Sequence, residues 1–307
     1  MIRRILLVKN LLDVLSHVPP LVILQAAKDD TKLFRKRAWH RFRIFFKYYF
    51  RRSEKDPVFI IAKRRSGSNL CLSYLNSVPG LNFSPPEPLN PHMYYGVREE
   101  NISKKTVLNH LAYTLNDNPA KICGFKMLFI RLLKHKLTLD DIRGRFPKTK
   151  FLIVYRRSLL EQFVSLKIAE MTDRWQWSRD YTQPETLKID TGEFRKFCSE
   201  TRQFYENILQ FPWIRTCARV IAYEDLAADP QRVFDTKIFP FLGIPPVSVS
   251  TTMLKQNTRP LEALVENFEQ IRSLSEDFDF EAFWPGVRGS IDAYAGRESS
   301  RGFSNNS

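Results

Sequence analysis

The period of the apolar positions changes several times along the chain, and each change marks an element. Four short runs rich in β-branched and aromatic residues, at 58–62 (VFIIA), 121–129 (KICGFKMLF), 151–155 (FLIVY) and 219–223 (RVIAY), read as strands. Between and after them the spacing turns helical, over about 69–77, 105–116, 158–172, 193–210 and 259–273. Strands that are apolar throughout, rather than alternating, belong to a sheet covered on both faces, and their alternation with helices predicts parallel pairing. The fold class that follows is α/β, a three-layer fold with a central, mainly parallel sheet. No internal repeat is apparent. The final stretch, 286–307, is rich in Gly, Ser, Arg and Asn and reads as a flexible tail.

Charge alters this picture at the N-terminus. Of a net charge of +15 over 307 residues, most comes from residues 1–55, which hold 14 Lys/Arg against 4 Asp/Glu. The remainder is only mildly basic, so a nucleic-acid partner is not expected. The segment "KLFRKRAWHRFRIFFKYYFRR", residues 32–52, carries nine Lys/Arg and no acid, and positions 34, 38, 42, 45, 46 and 49 share one helical face. Such a basic amphipathic helix either lies in an anionic membrane interface or packs its aromatic stripe on the domain. The uncharged run at 14–27 is too short to span a bilayer, which takes about 20 apolar residues. The organisation read from this is a basic amphipathic arm (1–55), a main domain (56–285) and the tail (286–307). Four widely separated cysteines argue against a disulfide scaffold or a structural zinc site and for a reducing compartment.

The turn after the first strand, "KRRSGSN", carries the first candidate chemistry. A helix beginning near Asn69 would offer unpaired N–H groups and its positive dipole end to an anion. Gly67 allows close backbone approach, Ser66 and Ser68 add hydroxyls, and Arg65 adds a charged fork. The G-x-x-x-x-G-K-[ST] pattern of nucleoside-triphosphate loops is missing, because the chain contains no Gly-Lys pair. A second strand end, Tyr155-Arg156-Arg157, leads into a helix that carries Ser165. Two anion sites at neighbouring strand ends suit a ligand phosphorylated at both ends, at the edge where open α/β sheets bind ligands.

At these residues the chain resembles the sulfotransferases that use 3′-phosphoadenosine 5′-phosphosulfate (PAPS). Arg65-Ser66-Gly67-Ser68 resembles the family's 5′-phosphosulfate loop, and Arg157 with Ser165 its 3′-phosphate motif. "PPEPLN" (85–90) is similar to the acidic acceptor loop, "GFKMLF" (124–129) to a recurrent strand and "VIAYEDLAADP" (220–230) to a Tyr-Glu-Asp-Leu element. "SLKIAEMTDRW" (165–175) and "TRPLEALVENFEQI" (258–271) resemble the bacterial trehalose-type and glycan-type branch in particular. The resemblance covers residues 57 to 275. Two positions depart from it: Asn69 stands where a hydroxyl is usual, and Arg65 where many relatives have Lys.

The resemblance implies a P-loop-NTPase-like sulfotransferase architecture and transfer of a sulfuryl group from PAPS, without a metal, to a hydroxyl of a carbohydrate or glycolipid. It implies donor binding by Arg65, Ser66, Gly67, Ser68, Asn69, Arg157 and Ser165, stabilisation of the leaving phosphate by Arg65, and removal of the acceptor proton by Glu87. His92 is the alternate base, and Trp175 and Trp177 are candidates to line a sugar. Lys63, Arg64 and Arg156 read as flanking charge without specific contacts. The rival function is a non-catalytic protein of the same fold that docks on an anionic membrane surface. The setting expected is cytoplasmic, with peripheral membrane contact through 32–52, the Golgi lumen being the alternative.

Overall fold

The structure, a computed structural model, describes residues 55–90, 103–175, 185–253 and 259–276. The arm up to residue 54, including the stretch 32–52 expected to be helical, the tail at 286–307, His92 and Trp177 lie outside the described residues. The elements in chain order are β1 (Asp56–Ala62), α1 (Ser68–Ser77), β2 (Leu81–Asn82), α2 (Lys104–Asp117), β3 (Ile122–Leu128), α3 (Phe129–Lys134), α4 (Leu139–Arg145) and β4 (Lys150–Tyr155). Then come α5 (Leu159–Thr172), α6 (Thr191–Leu209), α7 (Ile214–Cys217), β5 (Ala218–Ala222), α8 (Tyr223–Ala228) and α9 (Pro230–Val233). A π-helical turn over Phe234–Ile238 leads into α10 (Phe239–Leu242), and α11 (Leu261–Leu264) and α12 (Phe268–Glu276) complete the series.

Five strands pair in the order β2-β3-β1-β4-β5, every pairing parallel. All carboxyl ends therefore fall on one edge, which is where the loops of the candidate site lie. Side chains alternate between the faces, as pleating requires. Phe59, Ile61, Phe125, Met127, Phe151 and Ile153 face the layer of α2, α5 and α6. Val58, Ile60, Ala62, Leu152 and Val154 face α1 and the segment from α8 to α10. Both faces are thus apolar, which is why β1 and β4 read as unbroken hydrophobic runs.

β1 and β3 approach unusually closely at one point. Gly124 pairs with Val58, and a Cβ on Gly124 would stand 1.6 Å from the Val58 carbonyl oxygen and 3.2 Å from the Phe83 ring.

One expected element differs. The helix read over 259–273 is two, α11 and α12, because Val265 leaves the helical path to pair with Leu187. Leu187 N–H donates to Leu264 O at 2.8 Å and Glu266 N–H to Leu187 O at 3.1 Å. These bonds to a residue far upstream replace the helical ones at the break, so tertiary pairing overrides the local periodicity.

Candidate active site at the carboxyl edge of the sheet

The loop leaving β1 turns through two left-handed residues, Arg65 at φ 62° and Gly67 at φ 90°, before α1 begins at Ser68. No side chain caps α1 and its first turn holds no acid, so the positive end of the helix is not neutralised from within. Glycine is required at 67 for a second reason: a Cβ there would lie 2.4 Å from Tyr223 Cδ2. Ser66, fully buried, donates from Oγ to Lys63 O at 3.0 Å and so braces the loop on itself.

Arg65 reaches across to the helix that follows β4. Its Nε donates to Ser165 Oγ at 2.9 Å and its Nη1 to Trp175 O at 2.7 Å. Arg157 turns the other way. Its guanidinium makes a two-pronged pair with Asp225, at 2.8 and 2.9 Å, and its backbone N–H donates to the Glu224 carboxylate at 3.0 Å. Gly67 abuts Tyr223 while Arg157 holds the next two residues, so both strand ends converge on the start of α8. Ser165 and Arg157, paired in the sequence reading, engage different partners: Arg65 and Asp225.

The expectation that Lys63, Arg64 and Arg156 lack specific contacts is corrected. Lys63 Nζ donates to Thr201 Oγ1 at 2.9 Å and sits 5.1 Å over the Phe197 ring. Burial brings its pKa down to about 8, against the smaller opposing effect of Glu200. Arg64 lies 5.2 Å over the Trp175 ring, and its carbonyl accepts from Gln162 Nε2 at 2.8 Å. Arg156 is buried, pairs with Glu161 and covers the Tyr223 ring at 4.5 Å. Each is fixed because the loops that carry them are packed, and a buried cation needs a partner.

On the other side of β1 a second chain of polar contacts forms. Pro86 O accepts from the backbone N–H of Lys126 at 2.8 Å, which ties the loop after β2 to β3. Glu87 is thereby brought over the sheet edge rather than left in solvent. Its Oε1 stands 2.6 Å from Lys126 Nζ, and its Oε2 accepts from Asn90 Nδ2 at 3.1 Å. Lys126 also donates to Asn69 Oδ1, one residue into α1. The ammonium of Lys126, only 4% exposed, thus bridges the candidate base and the start of the phosphate-loop helix.

Lys126 had no role in the sequence reading, although its signal was present: a lysine within a strand that is apolar on both faces cannot stay charged without a fixed acid. Asp225 and Asn90 lie within the quoted stretches 220–230 and 85–90, but the pairing of Asp225 with Arg157, 68 residues upstream, could not be read locally.

Among the described residues there is no group of three or more His, Cys, Asp or Glu side chains placed to hold a metal. Among them, too, no helix is long and apolar enough to cross a membrane.

No protein-family model matches the chain. Among curated proteins it is similar to nodulation protein H of Rhizobium meliloti, 24% identical over 225 residues, which span 70% of this chain and 90% of that protein. The protein of the same name from strain 1021 is 27% identical over 131 residues, 41% of this chain and 52% of that protein. Among solved structures the chain aligns with a sulfotransferase from Alicyclobacillus acidocaldarius at a TM-score of 0.47 and 14% identity, over 79% of this chain and 96% of that one. It also aligns with the sulfotransferase domain of the Synechococcus PCC 7002 olefin synthase, at a TM-score of 0.40 and 20% identity, over 71% and 84% respectively.

Proposed function

We propose that this chain is a sulfotransferase that transfers the sulfuryl group of PAPS to a hydroxyl of a carbohydrate or glycolipid. The observation that carries the reading is the line of contacts from Glu87 through Lys126 to Asn69. It joins the loop that matches the family's acidic acceptor loop to the helix start that matches its phosphosulfate loop.

In the reaction the acceptor oxygen bonds to sulfur as the bond from sulfur to the 5′-phosphate oxygen breaks. The acceptor proton passes to Glu87, and the departing phosphate oxygen gains negative charge. Arg65, the N–H groups of Ser68 and Asn69 and the dipole of α1 face that developing charge, and Lys126 lies between it and the base. Lys126 also holds the Glu87 carboxylate in one orientation, which favours a single line of attack. Gly67 gives the donor phosphate access to the backbone. Arg157, at the next strand end, grips the 3′-phosphate in exchange for part of its contact with Asp225, and Ser165 steadies Arg65 between the two.

The carbohydrate acceptor rests on the glycan-type motifs. The setting proposed is the cytoplasmic side of a membrane, with residues 32–52 as the contact.

The experiment is calorimetry of the full chain with adenosine 3′,5′-bisphosphate, followed by transfer from radiolabelled PAPS to a panel of oligosaccharides and glycolipids. Binding that weakens about tenfold or more in Arg157→Ala is expected, the worth of a charge-assisted pair. A full chain that does not bind the nucleotide removes the reading.

A further inference from the structure

The surroundings of Glu87 hold more positive charge than the carboxylate needs. Arg131, in the short helix α3 directly after β3, donates from Nη2 to Asn90 Oδ1 at 3.3 Å, and Asn90 is the residue that donates to Glu87. Arg131 is therefore one side chain away from the candidate base. Its Nε is buried with no hydrogen-bond partner among the described residues. Among them, too, no carboxylate pairs with Arg131 at ion-pair distance, and Glu87 is already engaged by Lys126.

Burial, and after it the nearby charge of Arg64, lowers the pKa of Arg131, against a smaller opposing effect of Glu87. Arg64, whose guanidinium lies 5.2 Å over the Trp175 ring, comes from the β1 loop, and Arg131 comes from the end of β3, the strand beside β1. Two such cations, beside a lysine and a single carboxylate, repel one another unless an anion joins them. The donor's phosphates are assigned above to the start of α1 and to Arg157, not to Arg131.

We propose that Arg131 and Arg64 form an anion subsite on the acceptor side, and that the acceptor is an acidic glycan or glycolipid with a negative group close to the reacting hydroxyl. This inference rests on the sulfotransferase reading above and names its substrate class. An arginine with an unused buried N–H presents a fork to a carboxylate, sulfate or phosphate. The net charge of +15 favours encounter with such a ligand.

The test uses the full chain saturated with adenosine 3′,5′-bisphosphate. It is titrated with a tetrasaccharide of alternating glucuronate and N-acetylglucosamine, and with the same tetrasaccharide after reduction of its carboxyl groups. The wild type is expected to prefer the acidic form by about tenfold or more, one charge-assisted interaction. Arg131→Gln should abolish that preference, Arg131→Lys should keep part of it, and Arg64→Gln should reduce it. Nucleotide affinity and thermal midpoint should stay close to wild type in all three. The basic arm is common to every variant, so a change in preference belongs to the subsite.

Equal binding of the two tetrasaccharides by the nucleotide-loaded wild type, or of neither, overturns the proposal. So does a preference that survives Arg131→Gln. A variant that loses affinity for PAPS but not for the bisphosphate assigns the cations to the donor's sulfuryl group, and the proposal falls. Failure of the wild type to bind the bisphosphate sinks the underlying reading instead.

Discussion

The two halves of the sheet's carboxyl edge are built on different plans. On the β4–β5 side, cations are held by residues of the helices that follow these strands: Arg157 by Asp225 of α8, Arg156 by Glu161 and Arg65 by Ser165, both of α5. On the β2–β3 side one relay of side chains, Asn69, Lys126, Glu87, Asn90 and Arg131, is gathered from α1, the loop after β2, β3 and α3. The first half presents several grips, each cation with its own acceptor. In the second half Lys126 touches both Glu87 and Asn69, and Asn90 touches both Glu87 and Arg131, so the members share partners. Grips suit a ligand with charges at both ends, and a relay suits a single reacting proton.

The sharpest way to break this comparison is Glu87→Gln, which keeps the shape of the relay and removes the base. A drop of about a hundredfold to ten-thousandfold in radiolabelled transfer is expected, the usual worth of a general base, with bisphosphate affinity retained in calorimetry. Transfer at the wild-type rate would move the base elsewhere.

Next comes Lys126→Met, which leaves Glu87, 17% exposed, without its cation. Denaturant unfolding should show a loss of about 3–5 kcal/mol, as when one partner of a buried pair is removed. The double variant Lys126→Met/Glu87→Gln should recover most of it, because no unpaired charge then remains. If the two losses simply add, the relay is not a unit.

Gly67→Ala tests the grip side. Its Cβ would meet Tyr223 at 2.4 Å with φ at 90°, so a cost of about 1–3 kcal/mol is expected in denaturant unfolding. Bisphosphate affinity should fall with it. The same substitution leaves the relay untouched and should not change the pH dependence of transfer.

Lys63 tests the comparison through pH. Its pKa in the folded chain is about 8, below the ordinary 10.5, so between those values the unfolded chain binds the extra proton. Lys63 therefore disfavours folding below pH 8, and this cost is relieved as pH rises from about 8 to 10.5. The difference in stability between wild type and Lys63→Met should rise across that window and be flat below it. A difference flat throughout would mean that the ammonium is solvated.

What could be read from the sequence follows the same division. The strands, the turn after β1 and the Arg at the end of β4 are local patterns, in which a few consecutive residues already specify backbone and chemistry. The relay is not local. Lys126 sits in "GFKMLF" as one polar residue in an apolar run, and only the pairing of β3 with β1 brings it to Asn69. The break between α11 and α12 was hidden for a related reason: the 3.6-residue period continues through Val265, while the bonds that interrupt it come from Leu187. Arg131 reads as an ordinary helix residue until Asn90 and Glu87 are placed beside it.

Gly124 gives the edge its scale. At that position β3 leans on β1 so tightly that even a methyl group would collide with the Val58 carbonyl, and Lys126 follows two residues later on the same face. The gap between two backbones thus fixes how far one ammonium must stretch to span a carboxylate and a helix tip. A larger residue would not remove any group from the site; it would lengthen the bridge, and a reaction that depends on reach would fail with every participant still in its place.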